Sequence, residues 1–391
     1  MGLAFLWAPL AQGQQTDDSN RLVIDVAGDV LPESSWKGSQ DVAHILDGVR
    51  EEFSRADLVF LNLEEPVTSS RRITRSKNPA EVRAGRDYIL HATNPAIPGI
   101  LKESGVGLVG LANNHMMDYT ITGLRDTLRG FREAQLPVVG AGLKQDAERA
   151  FVLKARGIRV ALLAFTDVVP TNYDATETQL GVASSKDESV LVQALNRARA
   201  QADYVVLMMH WGGQGGHLIT PRQRELARVI AEAGCDVVVG MHPHVLQGIE
   251  FFGKVPVFYS IGNFAFPSGR PDARESMIVR LTFGTQGLES AEIVPAEISS
   301  QGAPHIATGL EGQGILSHLD GFCRMFNTRV EDGRLARGPV RAKLGFDSSK
   351  PSRRRGAKAA RRRRPLRGAD DGSAIKKFPE PVAILIPNYY T

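Results

Sequence analysis

The sequence predicts an α/β fold whose sheet is covered on both faces by helices and is followed by antiparallel strands. Two observations lead to this prediction. Between residues 21 and 240, nearly continuous apolar runs alternate with segments of helical periodicity, which is typical of strands buried between helices. Beyond residue 247 the chain continues in β-rich runs that are not separated by helices, as far as about residue 300.

The predicted strands and helices follow one another in order. The first strands are "RLVIDVAG", "DLVFLNLE", "VGLVGLA", "IRVALLAF", "DYVVLMM" and "DVVVG". Helices are predicted where apolar residues recur at helical spacing, as Leu124, Leu128 and Phe131 do. These helices cover residues 41–54, 94–103, 121–134, 187–201 and 222–233. Gly253 and Lys254 then separate two β-rich runs as in a hairpin, and "ESMIVRLTF" and "LESAEIVPAEI" are further strands.

The chain is predicted to contain one principal domain with three flanking segments. The domain covers residues 21–300, and residues 301–348 are an extension of uncertain fold. Residues 349–391 form a basic low-complexity tail, which we expect to be disordered because it has no apolar periodicity. Residues 1–20 resemble a truncated signal peptide, since they contain a short apolar run but no charged segment before it.

The location of the protein depends on these first residues. If residues 1–20 are a truncated signal, we expect an extracytoplasmic protein, either secreted or membrane-associated. If they are only a disordered or packed arm, the protein is cytoplasmic. The apolar run is too short to span a bilayer in either case.

The net charge of +4 conceals two regions of opposite character. Residues 350–367 contain ten Lys or Arg side chains and no acidic one, which leaves 37 basic and 43 acidic side chains in the rest of the chain. The predicted domain is therefore mildly acidic and has no feature of a nucleic-acid-binding surface. The tail is either a solvated appendage or a segment that binds an anionic polymer or a membrane surface electrostatically.

Polar side chains follow the predicted strands at the points where these strands end. Because the carboxyl ends of parallel strands meet at one edge of a sheet, we expect the side chains to lie close together. They are Asp29, Glu64, Asn113, Asn114, His115, His210, His242 and His244. A single H-x-H such as "HPH" at residues 242–244 occurs by chance in many loops, but five strands converging in this way is a much stronger signal.

The residue types in this group favour a metal site. Carboxylate, amide and imidazole ligands together suit Mn²⁺, Fe, Zn²⁺ or Co²⁺ better than Mg²⁺ or Ca²⁺. The group contains more ligands than one tetrahedral ion requires, so two ions are expected. Such a pair can hold a bridging hydroxide and clamp a phosphoryl group.

Eight spaced motifs carry a resemblance to a known family. They are "AGDVLP", "NLEEPVT", "LANNHMMDYTITGLRDTL", "VVGAG", "MMHWGGQ", "PRQRELA", "GMHPHVLQGIE" and "YSIGNFAF", over about residues 22–285. In this order they resemble the CapA-type capsule and poly-γ-glutamate synthesis proteins, the PGA_cap family, which is similar to the calcineurin-like metallophosphoesterases. The resemblance implies a four-layer α-β-β-α sandwich, in which two sheets pack face to face with helices outside.

The resemblance also implies roles for the grouped residues. Asp29 would be a first metal ligand, Glu64 a bridging carboxylate and Asn114 a ligand of the second ion. His210, His242 and His244 would complete the two sites. His115 would be the general acid, while Asp118 would either orient His115 or cap the next helix. Three further residues are expected to contact the substrate, namely Asn113, Gln214 and Asn263.

Three positions depart from the family patterns. Metallophosphoesterases have Asp-x-His at the first ligand, whereas Asp29 is followed by Val30 and Leu31. CapA relatives usually carry an acid where Gln214 stands and often a histidine where Met241 stands. These departures would weaken one metal site or leave it empty.

Two functions are consistent with the sequence. The first is a metal-dependent hydrolase of capsule or poly-γ-glutamate polymer biosynthesis, in which metal-bound hydroxide attacks a phosphoester or an amide. Its substrate would be an anionic polymer or a phosphoester. The second is a non-catalytic polymer-binding or assembly subunit of a membrane synthase complex. The substituted ligand positions favour the second function, and the presence of His115 favours the first.

Deletion of residues 350–391 is expected to leave thermal stability and the metal site unchanged, because every proposed ligand precedes residue 245. Thermal unfolding followed by circular dichroism, together with metal analysis, checks this. Unfolding of the shortened protein would instead mean that the apolar run "PVAILIPNYY" packs against the core.

Overall fold

Two β-sheets that pack face to face, with helices on their outer sides, make up the fold. The computed structural model describes residues 20–35, 42–85 and 87–337. The predicted signal-like segment, apart from residue 20, and the predicted basic tail lie outside the described residues. The four-layer α-β-β-α arrangement confirms the fold class predicted from the sequence.

The first sheet carries the N-terminal strands and the C-terminal antiparallel strands. Along its main path the order is β17-β18-β15-β14-β1-β2-β3-β4, while β13 pairs with β1 and β16 with β15. Strands β1 to β4 are parallel, and β14 joins β1 in antiparallel register. The bounds are β1 (Leu22–Val30), β2 (Leu58–Leu63), β3 (Leu108–Gly110), β4 (Val138–Val139), β13 (Asn263–Ala265), β14 (Glu275–Gly284), β15 (Gly287–Ile298), β16 (Pro304–Ile306), β17 (Thr328–Glu331) and β18 (Arg334–Arg337).

The second sheet has the order β11-β12-β10-β9-β7-β6. Its central strands β7, β9, β10 and β12 are parallel, and β11 and β12 form the antiparallel hairpin that Gly253 and Lys254 predicted. A small third pair joins β5 to β8. The bounds are β5 (Ala141–Gly142), β6 (Phe151–Ala155), β7 (Ile158–Thr166), β8 (Gly181–Val182), β9 (Tyr204–His210), β10 (Val237–Met241), β11 (Ile249–Phe252) and β12 (Val255–Phe258).

Four of the five predicted helices begin and end within three residues of their predicted limits, and several further helices were not predicted. Their bounds are α1 (Pro32–Ser35), α2 (Arg50–Phe53), α3 (Pro79–Arg83), α4 (Ile97–Glu103), α5 (Thr120–Glu133), α6 (Lys144–Ala147), α7 (Glu188–Arg199), α8 (Pro221–Glu232) and α9 (Gly309–Cys323). Asp187 caps α7, and Thr220 with Gln223 forms a capping box at α8. No helix in the described ranges has the length and apolar character needed to cross a membrane.

The segment predicted as one helix over residues 41–54 is helical only in short, separate pieces. Its described part consists of 3-10 turns at Val42–His44 and Asp47–Val49 and the short helix α2. Gly48 lies in this segment and packs closely against its neighbour, since a Cβ at this position would lie 2.5 Å from the carbonyl oxygen of Pro304. The segment therefore packs closely against β16.

Side chains alternate between the layers of the sandwich. Val206 and Met208 of β9 point into the core between the two sheets, together with Ile24 of β1. Val205 and Leu207 point to the opposite side, where α7 and α8 cover the second sheet. The outer face of the first sheet packs in the same way against α4 and α5, through Val59, Leu61, Leu101, Leu124 and Phe131. Continuous apolar strands thus arise because both faces are buried.

Residues 301–337, for which the sequence predicted no definite fold, extend the first sheet. Strand β16 pairs with β15, the hairpin β17–β18 joins the same edge, and α9 packs onto the core through Ile315, Leu319 and Cys323. Asp320 holds this segment together by accepting hydrogen bonds from Arg329 and from the backbone N–H of Val330.

Substitution Leu319→Ala is expected to lower the free energy of unfolding by about 2–5 kcal/mol, because Leu319 is fully buried in the core between the sheets. Chemical denaturation measures this loss. The exposed Ser317 on the same helix provides the control, since Ser317→Ala should change stability by less than about 0.5 kcal/mol. Equal effects of the two substitutions would mean that α9 does not belong to the core.

Candidate metal centre

The carboxyl ends of parallel strands from both sheets meet at one buried site. The first sheet supplies Asp29 at the end of β1, Glu64 just after β2 and Asn114 after β3. The second sheet supplies His210, the last residue of β9, and the two histidines that follow β10. Six of the sequence-predicted metal ligands therefore converge, as the strand-end argument predicted: Asp29, Glu64, Asn114, His210, His242 and His244.

A bulge in β1 aims Asp29 at this site. The register against β2 shifts between Ala27 and Asp29, so that Gly28 is an extra residue in the strand. Gly28 lies so close to β13 that a Cβ would be 2.2 Å from the carbonyl oxygen of Gly262. Only glycine fits there, and the shifted register places the Asp29 side chain at the sheet edge.

The backbone of the H-x-H segment is strained. His242 and His244 have φ angles of 92° and 59°, a region that residues other than glycine rarely adopt. Each such residue costs on the order of 1–3 kcal/mol. The backbone N–H of His242 donates to Asp29 Oδ2 over 3.1 Å, which helps to hold this conformation. The strain turns both imidazoles into the site, in keeping with a functional constraint.

Two overlapping clusters share the carboxylate of Glu64. In the first, single ligand atoms of Glu64, His210 and His242 lie within 4.8 Å of one another. His242 Nδ1 is 3.1 Å from His210 Nε2, and the amide oxygen of Asn114 is 2.8 Å from the same Nε2. Several lone pairs therefore point at one location.

The second cluster consists of Asp29, Glu64 and His244, again with ligand atoms within 4.8 Å. His244 Nδ1 is 2.8 Å from the side-chain oxygen of Asn263, which orients the ring and leaves Nε2 directed at Glu64, 3.7 Å away. Asn62 Nδ2 donates to Asp29 Oδ1 over 2.8 Å and fixes the other carboxylate.

Unpartnered polar atoms at the centre of the site fit a cation. Both carboxylate oxygens of Glu64 and Nδ1 of His210 are buried and have no hydrogen-bond partner among the described residues. A buried acceptor without a donor is costly, and a divalent cation between the clusters would satisfy these atoms. The mixture of carboxylate, amide and imidazole donors suits Mn²⁺, Fe, Zn²⁺ or Co²⁺.

The pKa values of the site depend on burial. Burial raises the pKa of Glu64 to about 8, although the neighbouring His244 opposes this. Burial also lowers the pKa of His210 to about 4 and that of His242 well below its usual value, so both imidazoles are neutral at neutral pH. For His244, burial would lower the pKa, but the carboxylates of Glu64 and Asp29 outweigh it and raise the pKa. Neutral imidazoles present the lone pairs that a metal ion requires.

His115 and Asp118 form a buried pair next to the clusters. His115 Nδ1 is 2.7 Å from Asp118 Oδ2, and Tyr173 donates to the other carboxylate oxygen over 2.9 Å. The side chain of Asp118 therefore orients His115, whereas α5 has no side-chain cap. Of the two roles that the sequence left open for Asp118, the geometry supports orientation.

Lys77 completes this pair and was not identified from the sequence. Its Nζ lies 2.8 Å from Asp118 Oδ1 and 2.9 Å from His115 Nδ1, and it donates to the carbonyl oxygen of Tyr88. Burial and the Lys77 ammonium together lower the pKa of His115 to about 4. Lys77 is one basic residue among several in an irregular loop, so no local pattern distinguishes it. Asn62 was also missed, although a polar residue in the apolar run "LVFLNL" was a usable signal.

Two residues predicted to contact the substrate are hydrogen-bonded within the protein. Asn113 donates to Asn62 Oδ1 and to the carbonyl oxygen of Leu63 and accepts from the backbone N–H of His115. Asn263 is likewise bonded on both side-chain atoms, to His244 and to the carbonyl oxygen of Ala273. Both are buried and help to position the residues around them, and a contact with the substrate stays a prediction for both.

Gln214, the third predicted substrate contact, is exposed on the loop after β9. It makes no hydrogen bond to the residues that the structure describes, and a role in substrate binding stays a prediction. The backbone around it is fixed, since Gly215 donates to the carbonyl oxygen of Pro243.

Comparison with known proteins settles the family. A family model for the bacterial capsule synthesis protein PGA_cap matches residues 23–268. The chain belongs to this family. The PGA biosynthesis protein CapA of Bacillus subtilis (strain 168) is 30% identical to this PGA_cap protein over 343 residues, which cover 85% of this chain and 87% of the relative. The capsule biosynthesis protein CapA of Bacillus anthracis is 31% identical over 310 residues, covering 77% of this chain and 74% of the relative.

One solved structure that aligns with this chain is the NAD nucleotidase of Haemophilus influenzae. It aligns with a TM-score of 0.40 and 15% identity over 77% of this chain and 56% of that chain. A likeness this low carries no activity across to the PGA_cap protein.

Substitution His242→Ala is expected to remove at least one of about two bound ions, because its ring nitrogen faces both His210 and the Glu64 cluster. Elemental analysis of protein loaded with Mn²⁺ and then desalted measures the metal per chain. His318, an exposed histidine paired with Glu275, is the matched control, and His318→Ala should retain the full content. Unmodified protein that retains no metal would contradict the site.

Proposed function

We propose that this PGA_cap protein is a metal-dependent hydrolase that acts on an anionic polymer or phosphoester in capsule or poly-γ-glutamate biosynthesis. The observation that carries the proposal is the unpartnered carboxylate of Glu64, shared between two clusters of potential ligands. The names of the two CapA relatives support the link to capsule and PGA biosynthesis. The proposal includes an extracytoplasmic location, for which the signal-like residues 1–20 are the support.

The metal ligands and the neighbouring His115–Asp118 pair have separate tasks in this proposal. Glu64, Asn114, His210 and His242 would hold one ion, and Asp29, Glu64 and His244 the other. Divalent ions held in this way supply a Lewis acid and an activated water. The buried walls exclude bulk water, which strengthens the interaction between the ligands and an anionic substrate group.

His115 supplies the group that interacts with the substrate or its leaving group. At neutral pH its imidazole is neutral, because its pKa is lowered to about 4. We propose the tautomer in which Nδ1 carries the proton and donates it to Asp118, 2.7 Å away, so that Nε2 carries a lone pair and serves first as a proton acceptor. A general-acid role, as the resemblance implies, requires His115 to gain a proton during the reaction. We therefore propose that it accepts a proton and then returns it to the leaving group.

The choice between a phosphoester and an amide follows from the same geometry. Two ions that share one carboxylate suit an in-line displacement at phosphorus, since both the attacking and the leaving oxygen can be stabilised. We therefore propose phosphoester hydrolysis ahead of amide hydrolysis.

A second candidate function is a non-catalytic polymer-binding or assembly subunit of a membrane synthase complex. The observation that favours it is the apolar pair Val30 and Leu31, both fully or nearly buried, where metallophosphoesterases carry an imidazole. The exposed Gln214 in place of an acid adds to this, because one metal site then has fewer ligands. In that case the metal ions would be structural.

Hydrolysis of an aryl phosphate in the presence of Mn²⁺, and its loss in chelator, tests the first function. Substitution His115→Ala should lower turnover on the order of 10²–10⁴-fold while the metal content stays the same. His305, which is exposed and paired with Glu311, is the control for a histidine outside the site. Two bound ions without turnover would favour the assembly subunit, and full turnover in His115→Ala would remove His115 from the mechanism.

A further inference from the structure

An exposed basic loop lies next to the His115–Asp118 pair. Residues 69–85, which we call the arginine loop, carry four exposed arginines: Arg71, Arg72, Arg75 and Arg83. The loop connects the segment after β2 to the region before α4 and includes α3. Its charge contrasts with the mildly acidic character of the chain outside the basic tail.

The four arginines lack acidic partners. Among the described residues, no ion pair or hydrogen bond involves the guanidinium group of any of them. Most arginines elsewhere in the described ranges are paired, as Arg159 is with Asp203, Arg222 with Asp167 and Arg280 with Asp25. Four unpaired guanidinium groups within thirteen residues form a local positive surface that the fold itself does not neutralise.

The loop is fixed to the protein on both sides of its first three arginines. Before them, Thr68 donates to Asp126 of α5 over 2.7 Å. Beside them, the backbone N–H of Thr74 donates to the carbonyl oxygen of Asp118 over 2.8 Å. After them, the buried Lys77 contacts both Asp118 and His115. Arg75 directly follows Thr74, so its Cα lies only about 3.8 Å from the Cα of Thr74. Thr74 is the residue whose backbone is hydrogen-bonded to Asp118 of the His115–Asp118 pair.

We infer that the arginine loop binds a polycarboxylate chain and guides it past the candidate metal centre. This inference rests on the proposed function and names a docking surface for its substrate. A guanidinium group has a planar fork of donors that matches a carboxylate, and an anchored loop presents several of them at a small cost in conformational entropy. A flexible polymer with an anionic group on every unit can contact all four arginines at once.

The composition of the loop argues against single-stranded nucleic acid as the partner. Proteins that bind such strands combine basic residues with aromatic side chains on which bases stack. Residues 69–87 contain no Phe, Tyr or Trp. Ile73, half exposed, is the one large apolar side chain of the arginine loop that is clearly exposed, which is little for insertion into a membrane.

The test compares three full-length proteins for binding of a fluorescein-labelled poly-γ-glutamate fragment by fluorescence anisotropy. The first is unmodified, and the second carries R71Q, R72Q, R75Q and R83Q. The third is a control that neutralises four exposed basic residues on other elements: R132Q, R149Q, K154Q and K254Q. We expect the loop variant to lose about tenfold or more in affinity and the control to stay within about twofold. The loss should shrink as salt is raised, because exposed charges are screened.

Three results would overturn the inference. The first is an equal loss of affinity in the loop variant and the control, and the second is no polymer binding by the unmodified protein. The third is a loop variant that loses binding to phosphatidylserine vesicles but keeps polymer binding, which would indicate that the loop binds a membrane surface. Circular dichroism and metal content verify that the loop variant is folded, since none of its four side chains contacts the core. Arginine-dependent polymer binding without metal-dependent turnover would leave the inference standing and remove the proposed hydrolase. Metal-dependent turnover without polymer binding would leave the proposed hydrolase standing and remove the inference on the arginine loop.

Discussion

The buried carboxylate of Glu64 is the interaction on which the rest of the site depends. A fully buried carboxylate with neither oxygen hydrogen-bonded costs several kcal/mol unless a positive charge compensates it, and without such a charge burial raises the pKa of Glu64 to about 8, so that it holds a proton at neutral pH. Among the neighbouring imidazoles the pKa of His244 is raised, but burial lowers the pKa values of His210 and His242, so the imidazoles do not fully supply a charge for both Glu64 and Asp29. A divalent cation on either side of Glu64 would do so. The polar residues around it, such as Asn62 and Asn263, then serve to hold the ligands in place.

The sandwich explains how these ligands come together. Neither sheet carries a complete set, since the carboxylates come from the first sheet and the imidazoles from the second. Face-to-face packing through residues such as Ile24 and Met208 fixes the distance between the two strand edges. The bulge at Gly28 and the strained backbone at His242 then orient the side chains of Asp29 and His242 toward the site. Stability of the core and geometry of the site are therefore linked.

Much of this could be predicted from the sequence, because its signals are local. Apolar runs with polar residues at their ends indicated the strands and the converging ligands, and spaced motifs indicated the family. Features that depend on contacts distant in the chain could not be predicted. Gly48 packs against the carbonyl oxygen of Pro304, and Asn113 turns inward because Asn62 and Leu63 offer it partners. Lys77 reaches His115 across 38 residues of sequence, with no pattern to indicate it.

The C-terminal residues illustrate the same limit. Weak periodicity beyond residue 300 gave no definite fold, yet α9 and the β17–β18 hairpin complete the edge of the first sheet. The helix also supports the site indirectly, since Phe322 stacks on His217, which in turn contacts the carbonyl oxygen of Leu246. These contacts brace the loop that follows His244. Short apolar segments of this kind acquire a structure only from the surface on which they pack.

Anomalous diffraction from a crystal grown with Mn²⁺ tests the central claim most directly. The account predicts two anomalous peaks about 3.5–4 Å apart, one on each side of the Glu64 carboxylate. The first should be surrounded by His210, His242 and Asn114, and the second by Asp29 and His244. A single peak remote from Glu64, or a hydrogen-bonded Glu64 with no peak beside it, would contradict the account.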